Sequence, residues 1–184
     1  MTQRESSRRK SRRVAFCGIM SGLGAALMMA GGLFPIATYC VPMAAGLLLW
    51  VTLIEYGKTP AWMVWAVTAA LALMLGADKE AAFFYLFLGW YPIVKPAMDR
   101  IRPKAASAAA KAGLFLALVS AMYAFLCLVL HLDAVVKDFT EAAAWINGLF
   151  FVLFTGCMLL YDRTLPRFAW LYIKKLRPRL PKLG

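Results

Sequence analysis

The chain alternates long apolar stretches with short charged ones. Five stretches carry no Asp, Glu, Lys or Arg: 14–54, 59–77, 81–94, 112–132 and 142–161. A hydrocarbon core about 30 Å thick takes about 20 helical residues to cross. The first stretch is too long for one crossing, so it holds two, with Gly31-Gly32 and Pro35 supplying the turn between them. The pattern predicts six helices, over roughly 14–33, 38–56, 60–77, 81–98, 107–132 and 142–162. Gly57-Lys58-Thr59-Pro60 joins the second to the third, and Asp78-Lys79-Glu80 joins the third to the fourth. The expected fold class is therefore all-α: a polytopic membrane protein with six transmembrane helices. Its membrane domain covers 14–162, between a basic leader at 1–13 and a basic tail at 163–184. Connections this short leave no room for a soluble domain, and no internal repeat is present.

Composition agrees. Hydrophobic residues make up 62% and charged residues 16%, against about 45–50% and about 25% in soluble domains. Mean hydropathy is +0.68. The first helix follows a basic leader as a secretory signal would. Its apolar core exceeds the roughly 7–15 residues of a signal core and lacks an A-x-A cleavage site, so it is expected to be a retained span.

Six spans place both termini on one side, and the distribution of Lys and Arg tells which. Arg4, Arg8, Arg9, Lys10, Arg12 and Arg13 precede the first helix, and Lys58 follows the second. Lys95, Arg100, Arg102, Lys104 and Lys111 flank the fourth-to-fifth connection, and seven more basic residues lie from Arg163 onward. Only Lys79 and Lys137 fall on the other side, among Asp78, Glu80, Asp133, Asp138 and Glu141. Both termini are thus expected in the cytoplasm.

The net charge of +12 belongs to these flanks, where it holds topology and meets anionic lipid headgroups. A nucleic-acid partner would need a basic folded face, which a chain without a soluble domain does not offer. Cys17, Cys40, Cys127 and Cys157 follow no metal spacing. Cys40 and Cys127 fall toward the same outer side, which permits a disulfide, although four buried free thiols is the simpler expectation. The signatures H-E-x-x-H, G-x-S-x-G and C-x-x-C are absent, as is a phosphate-cradling glycine loop. No enzyme, metal or cofactor is expected.

Two patterns are not explained by crossing a membrane. In the first helix Gly18, Gly22, Ala26 and Ala30 recur every four residues and so share one face. Small faces let helix backbones approach closely in lipid; this one suits either a helix of the same chain or a separate membrane protein. The second pattern is a set of polar and aromatic stripes in the outer halves of the later helices. These run through Glu80, Phe84, Phe87, Tyr91 and Lys95, through Ser120, Tyr123, Cys127 and His131, and through Glu141, Trp145 and Gly148, with Asn147 beside the last. Convergence of these faces would form an outward cup with an acidic rim and an aromatic wall, a composition that suits a small-molecule pocket. Each residue also has a plainer role. Tyr39 and Trp145 suit the interfacial belt. Asp78, Glu80 and Asp133 suit solvated loop ends, His131 suits an interface, and Lys95 can snorkel to headgroups. Asn147, an amide inside a span, is the hardest to explain away.

The basic leader running into "RRVAFCGIMSGLGAALMMAGG", with six short spans and both ends inside, resembles the substrate-binding S component of an energy-coupling factor (ECF) transporter. The resemblance covers nearly the whole chain as shape and pattern. In that family an A-x-x-x-A-like face of the first helix meets a transmembrane coupling subunit. Gly18, Gly22 and Ala26 stand at the matching positions, with glycine where the family has alanine. The resemblance implies capture of a vitamin-like or other small solute in an outward cavity capped by outer loops, where Phe34 to Tyr39 would stand. Docking to the coupling subunit would follow, with two ATPase subunits supplying the energy. The expected substrate contacts are Tyr39, Glu80, Phe84, Tyr123, His131, Trp145 and Asn147. An acidic, aromatic cup would suit a cationic ring. Two rival readings remain: a homo-oligomeric carrier or channel whose small face meets a second copy, and a membrane scaffold or assembly factor that binds no solute.

Overall fold

The structure is a computed structural model and describes residues 3–31, 37–76, 78–128 and 144–177. Among the described residues it is entirely helical. The helices are α1 (Gln3–Gly31), α2 (Ala37–Tyr56), α3 (Lys58–Leu75), α4 (Lys79–Leu88), α5 (Tyr91–Met98), α6 (Lys104–Leu128) and α7 (Ala144–Leu171), and a π-helical turn at Tyr172–Leu176 continues α7. They occupy the six predicted stretches, with the fourth broken in two. Helices satisfy every backbone polar group internally, which is what a lipid surrounding requires. Among the described residues, four are long and apolar enough to cross a membrane: Arg9–Gly31, Thr38–Tyr56, Lys58–Leu75 and Lys104–Phe125. The chain has the build of a multi-pass membrane protein.

Three departures from the sequence reading have local causes. α1 starts at Gln3 rather than near 14, because the Arg, Lys and Glu of the leader are good helix formers. The expected helix 81–98 is interrupted by a turn at Gly89-Trp90. Pro92 has no N–H to give to the Leu88 carbonyl, and its ring crowds that position, so α4 ends and α5 begins. At the other end of the chain, α7 runs on to Leu171 with Pro166 inside it, past the expected end near 162.

The chain divides into two compact units. The first comprises residues 1–94 and 164–184. In it α1 packs on α2 and α3, α2 on α3, and α4 on both α2 and α3. Its core joins Met28 of α1, Ala45 and Leu49 of α2, Ala61, Val64, Ala69 and Ala72 of α3, and Ala81, Ala82 and Tyr85 of α4. The many alanines allow close helix approach without polar groups. Gly24 shows how close: a Cβ there would stand 2.9 Å from Cγ2 of Thr68. Gly57 ends α2 at a φ of +84°, a conformation that costs little only without a side chain, and α3 begins one residue later. The second unit comprises residues 95–163, with Phe115, Val119, Met122, Tyr123, Phe154 and Met158 buried. Val14, Ile19, Leu23, Met29, Met63, Val67 and Met74 are exposed, as side chains facing lipid tails would be.

Candidate functional site

The connection Asp78-Lys79-Glu80 has a defined role for each residue. Asp78 is the N-cap of α4, its Oδ1 accepting from the Ala81 N–H at 3.0 Å. A carboxylate there satisfies an otherwise unpaired helix N–H and opposes the positive end of the helix dipole. Its Oδ2 accepts from the Thr38 hydroxyl at 2.7 Å, which ties α4 to the first turn of α2. Lys79 turns back and donates to the Leu73 carbonyl at 2.8 Å, closing the end of α3. Glu80 accepts from the Tyr39 hydroxyl at 2.7 Å. The Tyr39 ring meets Phe84 edge to face, with centroids 5.6 Å apart.

Three of the seven expected substrate contacts, Tyr39, Glu80 and Phe84, therefore meet at the N-terminal ends of α2 and α4. Tyr39 and Glu80 are half-buried, whereas Phe84 is buried in the first unit. Two carboxylates with hydroxyl partners and an aromatic edge can hold a cation or a hydrogen-bond donor. In the second unit Tyr123 is buried and Trp145 is 71% exposed at the start of α7. His131 and the side chain of Asn147 lie outside the described residues, as do Phe34 to Ile36 of the expected cap. The stripe from Glu80 to Lys95 does not run along one helix, because the Gly89-Trp90 turn divides it. Cys17, Cys40 and Cys157 are free thiols, so Cys40 forms no bridge to Cys127. Among the described residues, no three His, Cys, Asp or Glu side chains gather as a metal ion would require.

The small-residue row of α1 lies open. Gly18, Gly22, Ala26 and Ala30 are exposed, and a Cβ on Gly18 or Gly22 would meet nothing within 4 Å. The helix packs inward through another face: Ser21, Gly24, Ala25 and Met28 are buried. Contact with α2 and α3, one of the two uses foreseen for the row, is made by that second face.

Sequence reasoning missed a ring of four charges in the second unit. Lys95 of α5 donates to Asp162 Oδ1 at 2.5 Å and pairs with Asp99 at 3.1 Å, one helical turn away. Lys111 of α6 donates to Asp162 Oδ2 at 2.9 Å and pairs with Asp99. Two lysines and two carboxylates alternate, and their charges cancel. Lys95, Lys111 and Asp162 are only 2, 5 and 9% exposed. Lys95 does not snorkel to a headgroup; its ammonium is enclosed. Burial of such charges is tolerated only with partners, and the ring supplies two partners for each lysine. It ties α5, α6 and α7 together through charges. Ser107 adds a hydrogen bond to the Met98 carbonyl at 3.0 Å.

A further carboxylate, Glu55, half-buried with its side chain 7% exposed, lies near the end of α2. It accepts from the Tyr172 hydroxyl at 3.2 Å and from Arg177 Nε at 3.2 Å. Burial and the adjacent Glu55 charge push the Tyr172 phenol up to about 12. No protein-family description, curated protein or solved structure matches this chain.

Proposed function

We propose that this protein is a membrane-embedded capture subunit of an uptake transporter, one that takes a small solute from outside and docks on a separate, energised membrane partner. The observation that carries the reading is the open row of Gly18, Gly22 and Ala26. A helix in lipid has little hydrophobic gain from pairing, so association rests on backbones coming close. α1 already has one small face for its own unit. A second one turned outward is suited to another membrane helix.

The remaining parts of the reading fit around that face. The excess of Lys and Arg supports six crossings with both termini in the cytoplasm, α4 and α5 together forming the fourth, and the family resemblance adds a prokaryotic plasma (inner) membrane. The N-terminal ends of α2 and α4 then face outward, and Asp78, Glu80, Tyr39 and Thr38 belong to the solute entrance. The S components of ECF transporters are the family this arrangement resembles; on that basis the partners are a transmembrane coupling subunit and two ATPase subunits. The chain itself would supply affinity and selectivity, not hydrolysis.

The test is purification of the tagged protein from its own host in mild detergent, with mass spectrometry of what accompanies it. The expected result is a coupling membrane subunit with two ATPases, lost in Gly22→Leu while the variant keeps its thermal stability. Recovery of copies of this chain alone would replace the reading with a homo-oligomeric carrier. Recovery of the same ATPases by Gly22→Leu would remove α1 from the docking surface.

A further inference from the structure

The segment 164–177 presents two different faces. Leu165 and Tyr172 are buried. The hydrogen bond from Tyr172 and the ion pair from Arg177, both to Glu55, fix how the segment is turned. Its outward face carries Trp170 at 57% exposure, together with Leu171 and Ile173. Pro166, Arg167, Trp170 and Leu171 line an open groove of about 510 Å³, almost wholly apolar. Lys174 Nζ lies 4.5 Å above the Trp170 ring, a cation–π contact that holds a cation against an indole lining the groove. Arg167, Lys174 and Lys175 are exposed, and the sequence from 164 to 177 contains no carboxylate.

We infer that this groove is a binding site for an anionic phospholipid of the surrounding bilayer. The chemistry is that of an amphiphile with one negative end. An apolar trough bounded by Trp170 and Leu171 takes hydrocarbon, and Arg167 and Lys174, each within one turn of Trp170, reach a phosphate at its rim. Guanidinium groups pair bidentately with phosphate oxygens, and tryptophan favours the headgroup level. A free phosphate would leave the trough empty. A zwitterionic lipid would bring its own cation up to a segment, 164–177, that contains no carboxylate to receive it. The inference depends on the multi-pass membrane build and not on the solute-capture reading.

The experiment uses the full chain in lipid nanodiscs with brominated acyl chains as quenchers of tryptophan emission. Brominated phosphatidylglycerol is compared with brominated phosphatidylcholine at equal mole fraction. Subtracting the signal of Trp170→Phe isolates Trp170 from the other indoles. Each basic residue close to an anionic lipid surface favours it by about fivefold. Quenching of Trp170 should therefore favour the anionic lipid by at least about fivefold, and the preference should vanish in Arg167→Gln/Lys174→Gln with the helical circular dichroism unchanged. Leu171→Ser, which breaks only the trough, should weaken quenching by both lipids. Equal quenching by the two lipids in the wild type, or a preference that survives the double substitution, would overturn the inference.

Discussion

Removing one lysine from the buried ring should cost more than removing a lysine together with its carboxylate. In Lys95→Met, Asp162 keeps Lys111 at 2.9 Å but loses the shorter contact at 2.5 Å. Asp99 loses its partner at 3.1 Å. The ring goes from neutral to one net negative charge in a place almost closed to water. At an effective dielectric of about 20, a unit pair about 3 Å apart attracts by about 5–6 kcal/mol before desolvation is subtracted. Deleting one member of a buried pair typically costs about 3–5 kcal/mol. The lower end, about 3 kcal/mol, applies here because Asp99 is partly exposed and water can take up some of the excess charge. At about 2–4 °C per kcal/mol for a chain of this size, the midpoint should fall by about 6–12 °C.

In Lys95→Met/Asp162→Leu one lysine and one carboxylate leave together, and with them three of the four ion pairs, but Lys111 and Asp99 still neutralise each other. Such replacements by apolar groups are often neutral, so the double variant should recover most of the loss. Thermal unfolding in detergent, followed by intrinsic tryptophan emission, measures both. A double variant as unstable as the sum of the two single ones would show no coupling and refute the argument. The same reasoning ranks the carboxylates: Asp162→Asn should destabilise more than Asp99→Asn, whose side chain is 43% exposed.

The two small faces of α1 should respond oppositely. Gly24→Leu forces a side chain into Thr68 and should cost about 1–3 kcal/mol in thermal unfolding, whereas Gly22→Leu should leave the midpoint unchanged. Tyr39→Phe removes a hydrogen bond to a carboxylate and should lower stability by about 1–2 kcal/mol in the same assay. The Tyr172 phenol, held up to about 12 by burial and by Glu55, should stay neutral well past the ordinary tyrosine value of about 10. Because its folded value is raised, its contribution to stability is complete below about pH 10 and is lost as pH climbs toward 12. The 295 nm absorbance difference between wild type and Tyr172→Phe measures this, and a midpoint near 10 would contradict it.

Helix positions were legible because a membrane enforces them: charge-free runs of a crossing's length can do little else than form helices. The break at Gly89-Trp90 was also written in the sequence, as Pro92 three residues after Gly89. Read by position alone, Lys95 and Lys111 mark orientation. The better signal was their company. Asp99 follows Lys95 by one turn, and Asp162 follows the charge-free run 142–161 directly. Which partner a buried charge finds is a matter of tertiary packing, and no periodicity encodes it. The pairing of Tyr39 with Glu80 is similarly long-range, across 41 positions. Both residues stood out as site candidates, but not as partners of each other. The row of small residues in α1 was plain in the sequence, while the existence of a second small face, the one the fold uses, became visible only with α2 and α3 in place.

The central claim is solute capture at the ends of α2 and α4, and the most direct test is to ask what the protein carries. Wild-type protein purified from its host is denatured, and the released small molecules are quantified by mass spectrometry beside Glu80→Gln and Tyr39→Phe. The account predicts a small polar solute present in the wild type and reduced by about tenfold or more in Glu80→Gln, the equivalent of about 1.4 kcal/mol of binding. Identical small-molecule content in all three folded proteins would contradict it.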